Sequence, residues 1–144
     1  MSESNYTQPD LMLLGADHIR AYEETGGEVG YIWNGVPTLL LTATGRRTGQ
    51  KRTSALIFGR DGDDYLVVAS MGGAPSHPMW YLNVQANPEA TIEVKAETLA
   101  VVAHTASAAE KPRLWKIVAD VWPKYDVYQS RTDRDIPVVV LSPT

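Results

Sequence analysis

Residues 38–58 read TLLLTATGRRTGQKRTSALIF: an apolar run, a glycine-bracketed basic turn, and a second apolar run. Thr38 to Ala43 is short, apolar and β-branched at its start, which predicts a strand. Gly45 to Gly49 supplies the turn, and Thr53 to Phe58 the returning strand. Working outward, Asp61-Gly62 signals a hairpin, with Tyr65 to Ser70 as the strand that leaves it. The loop Gly72-Gly73-Ala74-Pro75 follows. A short helix then begins with Pro78 as its first residue and stops at Asn87-Pro88. Thr91–Val94 and Thr98–Thr105 form another hairpin. Ser107 to Glu110 is a capping box. The helix behind it carries Leu114, Ile117, Val118 and Val121 on one stripe. Pro112 lies near its tolerated limit, and Pro123 kinks or restarts the helix. Ile136 to Leu141 is a last strand. At the front, Asp10 caps a helix that runs to about Thr25, ended by Gly26-Gly27.

About six short strands joined mostly by hairpins do not alternate regularly with helices, so a doubly wound sheet is not expected. A mostly β chain with flanking helices, closed as a small antiparallel barrel, fits better. Neither a G-x-G-x-x-G after a strand nor a G-x-x-x-x-G-K-[ST] loop is present. The 144 residues predict a single domain over 1–144, with 1–30 as an N-terminal helical segment. Hydrophobic residues are 44% and charged residues 21%, a globular balance.

The chain holds 13 Lys and Arg against 17 Asp and Glu, a net charge of −4, which argues against nucleic acid. The distribution is uneven. Arg46, Arg47, Lys51 and Arg52 fall within seven positions that contain no acid. Outside them nine cations face 17 acids, a balance of −8. One dense basic turn in an acidic body points to a local anion site. Gatekeeping charges at a solvated hairpin tip are the plain alternative. There are no cysteines, so disulfides, thiolate metal sites and thiol nucleophiles are excluded. His18, His77 and His104 lie far apart, and no metal is expected. The first ten residues lack a signal-peptide pattern. A cytoplasmic protein is expected, with contact between the Leu11–Leu14 turn and a membrane surface as the lesser alternative to burial of that turn.

Two further stretches bear on chemistry. Ser70-Met71-Gly72-Gly73 leads from a strand towards Trp80, Tyr81 and Asn83; its glycines let a ligand approach the backbone. Trp80 and Tyr81 can cover a flat ring, or serve only the core. Tyr125 and Tyr128 are three apart and share a helix face, lining a pocket or an interface. No nucleophile elbow, Ser-His-Asp order or paired carboxylates emerge. A bound cofactor carrying the chemistry is therefore attractive.

The runs LLLTATGRRTGQKRTSALIFGRDGDDYLVVASMGGAPSHPMWYLNVQANP and YDVYQSRTDRDIPVVVL resemble the deazaflavin-dependent nitroreductase family of actinobacteria. The shared pattern is TGR-x-[ST]G-x-x-R, the D-G hairpin, AS-x-GG-x-P-x-x-P-x-WY-x-N, and a Tyr-rich helix before IPVVVL. The resemblance covers about Thr38 to Pro143. It implies a split β-barrel of the FMN-binding, pyridoxamine-phosphate-oxidase-like kind. It also implies coenzyme F420, a deazaflavin with a phosphate and an oligoglutamate tail. By that resemblance Arg46, Arg47, Thr48, Gly49, Gln50 and Arg52 hold phosphate and tail, and Ser54 also binds the cofactor. Ser70, Gly72, Gly73, Trp80, Tyr81 and Asn83 complete the cleft around phosphate and ring. Ser70, Tyr125 and Tyr128 shape the substrate pocket and are the candidate proton donors. Met71 stands where many relatives have Lys, and Trp122 and Ile57 where one has Tyr.

The expected activity is hydride transfer from reduced F420 to a small electron-poor molecule: an enone, a quinone or a nitro compound. The alternatives are an FMN oxidoreductase of the same fold, or a non-catalytic carrier of cofactor or lipid. The expected assembly is a monomer or homodimer.

Overall fold

The computed structural model describes residues 15–144. Eight strands and four helices follow in order: α1 (Gly15–Thr25), β1 (Ile32–Trp33), β2 (Val36–Thr44), β3 (Lys51–Ile57), β4 (Gly59–Asp61) and β5 (Asp64–Val68). After a single 3-10 turn, Met71–Gly73, come α2 (Met79–Ala86), β6 (Glu89–Val94), β7 (Glu97–Thr105), α3 (Lys111–Val121), α4 (Lys124–Ser130) and β8 (Val138–Pro143). Every strand pair is antiparallel. The sheet order is β1-β2-β6-β7-β8-β5-β4, and β3 also pairs with β2. β3 and β4 are one chain path broken at Phe58. One half pairs with β2 and the other with β5, so the sheet curls round into a split barrel.

The apolar runs are continuous because both faces of the sheet are covered. On β5 and β8, Tyr65, Val67, Val139 and Leu141 face the barrel interior with Leu39, Leu41, Phe58 and Ile92. Their alternating neighbours Leu66, Val68, Val138 and Val140 face out, under Leu114, Val118 and Trp122. The α3 stripe is therefore what seals the outer face.

Local signals held with small shifts. The Asp61-Gly62 hairpin forms, but Asp61 pairs with Asp64, so Gly62 and Asp63 make the turn. Pro78 is the extended residue before α2 rather than its first helical residue. The capping box closes, Ser107 N–H to Glu110 Oε1 at 3.0 Å and Glu110 N–H to Ser107 Oγ at 3.1 Å. Pro112 sits in the first turn of α3, and Pro123 separates α3 from α4. The six expected strands become eight. The break at Phe58 adds β4, and Asn34-Gly35 adds the two-residue strand β1. Both turn residues have positive φ, 52° and 84°, as a tight hairpin demands. The expected helix start at Asp10 and the Leu11–Leu14 turn lie outside the described residues. Among the described residues no helix is long and apolar enough to cross a membrane.

Tyr22 ties α1 to the barrel. Its ring is fully buried. Its oxygen accepts from Lys95 N–H at 2.8 Å and shares its proton between the carbonyls of Thr38 (3.0 Å) and Glu93 (3.2 Å). Burial pushes the phenol pKa up to about 12, with Glu93 and Tyr31 adding to it. Tyr22→Phe removes the hydroxyl from the part-buried Lys95 N–H and from the carbonyls of Thr38 and Glu93, so we expect a loss of about 2 kcal/mol in urea unfolding. A loss under about 0.5 kcal/mol would show that α1 is held otherwise.

Candidate functional site

β2 and β3 present the basic turn at their ends. Gly45 N–H donates to Gln50 O at 2.7 Å and Gly49 N–H to Gly45 O at 2.9 Å, which closes the loop. Gly49 has φ +73°, so glycine suits it. Thr48 Oγ1 accepts from Gln50 N–H at 3.2 Å. Arg46 is drawn inward: buried Asn83 Oδ1 accepts from its backbone N–H at 3.1 Å and from its guanidinium at 3.4 Å. Lys51 Nζ donates to Thr44 Oγ1 at 2.9 Å. Among the described residues the side chains of Arg47 and Arg52 have neither a hydrogen-bond nor an ion-pair partner, and both are exposed. The turn thus carries two uncommitted guanidinium groups.

A cavity of about 720 Å³ begins one residue beyond Arg52. That size is typical of small-molecule sites. One wall is β3 from Thr53 to Ile57; another is Ser70, Met71 and Gly72; Trp80 comes from α2, and Trp122, Tyr125 and Tyr128 from the α3–α4 corner. A third side, from His18, Ile19, Trp33, Asn34 and Thr38, had no signal recognised in the sequence. Asn34-Gly35 was the available cue. His18 is buried, with Nε2 2.9 Å from Gly30 O and its ring stacked 5.9 Å from Trp33. Among the described residues Asn34 Nδ2 and Thr38 Oγ1 are buried without partners, an exception that calls for a cause.

Of the residues anticipated for the site, Ser54, Ser70, Gly72, Trp80, Tyr125 and Tyr128 meet at the cavity. Arg46, Arg47, Thr48, Gly49, Gln50 and Arg52 stand together on the turn beside it. Three others do not line it. Tyr81 points away from it, its hydroxyl 2.9 Å from Thr105 Oγ1 and accepting from Gln85 Nε2 at 3.0 Å. Asn83 acts on Arg46. Gly73 packs against α4: a Cβ there would lie 2.6 Å from Tyr128 O.

The tyrosines are edge to face, with centroids 6.1 Å apart. Burial, then the neighbouring Tyr128, holds the Tyr125 phenol well above its ordinary pKa, so it stays protonated. Its hydroxyl has no hydrogen-bond partner among the described residues. Tyr128 Oη accepts from Trp122 Nε1 at 3.4 Å, which leaves its own proton available. Two phenol hydroxyls can therefore donate into the cavity.

Arg134 went unrecognised in the sequence. It ties the 69–77 loop to the α4–β8 connection through the carbonyls of Ala69, Ser70 and Ala74 and through His77 Nδ1. Burial first, and the Arg134 charge second, lower the His77 pKa, in keeping with a neutral ring that accepts from the guanidinium.

Aromatic walls, a glycine approach at Gly72 and, on the adjoining turn, two guanidiniums without partners among the described residues suit a flat ring that carries an anionic arm. Fold and cleft together define a split barrel of the pyridoxamine-phosphate-oxidase-like kind. Comparison with known proteins narrows this. Residues 16–143 match the profile of the F420H(2)-dependent quinone reductase family. An F420H(2)-dependent quinone reductase of Mycobacterium tuberculosis is 45% identical over 129 residues, 87% of each chain. A solved F420-H2 dependent reductase is 37% identical with a TM-score of 0.69, covering 74% of this chain and 94% of its own. A solved domain-swapped dimer is 35% identical with a TM-score of 0.72, covering 86% and 92%. The chain belongs to the F420H(2)-dependent quinone reductase family.

Proposed function

We propose that the protein is an F420H2-dependent reductase acting on small electron-poor molecules, with quinones as the leading class and enones and nitro compounds as further acceptors. The observation that carries the reading is the pairing of the Arg47 and Arg52 guanidiniums, without partners among the described residues, with an adjoining aromatic cavity. One phosphate of FMN needs less positive charge than this turn offers, which ranks FMN second.

Arg47 and Arg52 hold the phosphate and the anionic tail, and Arg46 with Asn83 fixes the turn that presents them. Trp80, Ser70, Gly72 and the β3 wall orient the ring. The reduced deazaflavin, when bound, supplies a hydride. The chain's own work is to place donor and acceptor, exclude water with its apolar walls, and offer protons from Tyr125 and Tyr128 to the acceptor oxygen as negative charge builds there. Ser70 is a third hydroxyl at that wall. Reduction of a quinone takes the hydride and one proton, and yields the hydroquinone. A carrier would bind the same cofactor without turning it over.

The decisive experiment mixes purified protein with F420H2 and menadione and follows re-formation of oxidised F420. Micromolar binding with turnover supports the reading; binding without turnover favours a carrier, and a preference for FMN favours the flavin alternative. Tyr128→Phe should lower kcat for menadione about 30-fold while KM for F420H2 stays nearly constant, the loss expected for one hydrogen bond to developing charge. An unchanged kcat would remove Tyr128 from the proton-donating pair. A size measurement in solution decides between the monomer and the homodimer.

A further inference from the structure

We propose that Arg134 is a positioning residue of this cleft: a guanidinium clamp that holds the 69–77 loop by its backbone and so sets Ser70, Met71 and Gly72 against the cavity. This rests on the reading of the cavity as the reaction site. The loop needs holding. Met71, Gly72 and Gly73 follow one another with φ of +47°, +65° and +85°. Single left-handed residues are routine, whereas a run of them, one bearing a side chain, persists only when its surroundings enforce it.

Arg134 supplies that enforcement at four points. Nε donates to Ala74 O at 2.8 Å and NH2 to Ser70 O at 2.7 Å. NH1 reaches Ala69 O and His77 Nδ1, both at 3.0 Å. The contacts bracket the left-handed run on both sides. Arg131 adds a longer bond from NH1 to Gly72 O, 3.4 Å. Arg134 forms no ion pair among the described residues, so three carbonyl oxygens and the His77 ring nitrogen, not a carboxylate, answer its charge. The clamp is itself anchored: Gln129 Nε2 donates to Arg134 O at 2.8 Å, and Gln129 Oε1 accepts from Ile136 N–H at 2.9 Å. Only a planar fork reaches three carbonyls at once; a lysine ammonium is a single point of charge.

Arg134→Lys and Arg134→Ala test this in two arms. In the ligand-free protein, amide hydrogen exchange of peptides spanning residues 69–77 should quicken about 10-fold in both variants, with the barrel strands unchanged. In turnover with menadione, kcat should fall about 30-fold while KM for F420H2 stays within about 3-fold, because the basic turn is untouched. Millimolar guanidinium should restore much of the kcat of Arg134→Ala and none of that of Arg134→Lys, whose ammonium still occupies the space. Unchanged exchange at 69–77 overturns the clamp. A loss carried by KM or by global unfolding, without guanidinium rescue, overturns the positioning role. Should the wild-type protein fail to oxidise F420H2, it is the reading of the reaction that falls, and exchange in the 69–77 loop decides the clamp alone.

Discussion

Replacing Arg47 and Arg52 together by alanine should weaken F420 binding about 100-fold. Each guanidinium makes a charge-assisted contact worth about 1.4 kcal/mol at an exposed position, tenfold in affinity, and the two contribute separately. Folding should be unaffected. Neither side chain has a partner among the described residues, and both are exposed. Three comparisons make the result specific. A deazaflavin lacking phosphate and tail should bind wild type and variant alike. FMN, with one phosphate, should fall between. Raising salt should weaken wild-type binding more steeply than that of the variant, because screening acts on the charges that have been removed. Lys51→Ala should do less, since its ammonium is already held by Thr44 Oγ1 at 2.9 Å. A double variant that binds F420 within about 3-fold of wild type would detach the basic turn from the cofactor.

That turn was legible in the sequence because charge clustering needs no tertiary information. The barrel strands were legible for a related reason: a sheet buried on both faces leaves uninterrupted apolar runs such as Tyr65–Val68 and Val138–Leu141. Other features depend on geometry that linear spacing does not carry. In WY-x-N the three residues look like one motif. On a helix Trp80 and Asn83 share a side, while Tyr81 is turned about 100° away, and its hydroxyl goes to Thr105. The wall from His18, Trp33 and Thr38 comes from parts of the chain with no chemical signature of their own, gathered by α1 and the short β1–β2 hairpin. Arg134 is the harder case. Its partners are mainly backbone carbonyls, and any residue type supplies a carbonyl, so no pattern of side chains announces it. Phe58 is similar. Nothing in ALIFGRD marks the residue at which one strand leaves β2 and joins β5.

Gly73→Ala should destabilise the protein by about 4 kcal/mol and abolish turnover in what remains folded. Two costs add. The backbone there has φ +85°, a conformation that penalises any Cβ by about 1–2 kcal/mol. The new Cβ would also stand 2.6 Å from Tyr128 O, 3.0 Å from Arg131 Cβ and 3.1 Å from Tyr128 Cα. Two of those atoms are helix backbone, which cannot swing aside as a side-chain tip can, so an overpacking cost of about 1–3 kcal/mol follows. Relief requires α4 to move away from the loop, and α4 carries Tyr125 and Tyr128. The active-site cost thus comes from the same displacement as the stability cost. Gly72→Ala is the control. Its φ is +65°, but a Cβ there meets nothing within 4 Å, so only the conformational penalty applies, about 1–2 kcal/mol. Urea midpoints of the two variants separate the terms, since neighbouring glycines in one loop share the same unfolded-state change. If Gly73→Ala cost no more than Gly72→Ala, the loop and α4 would not be in contact as described, and the coupling between this turn and the paired tyrosines would be lost with it.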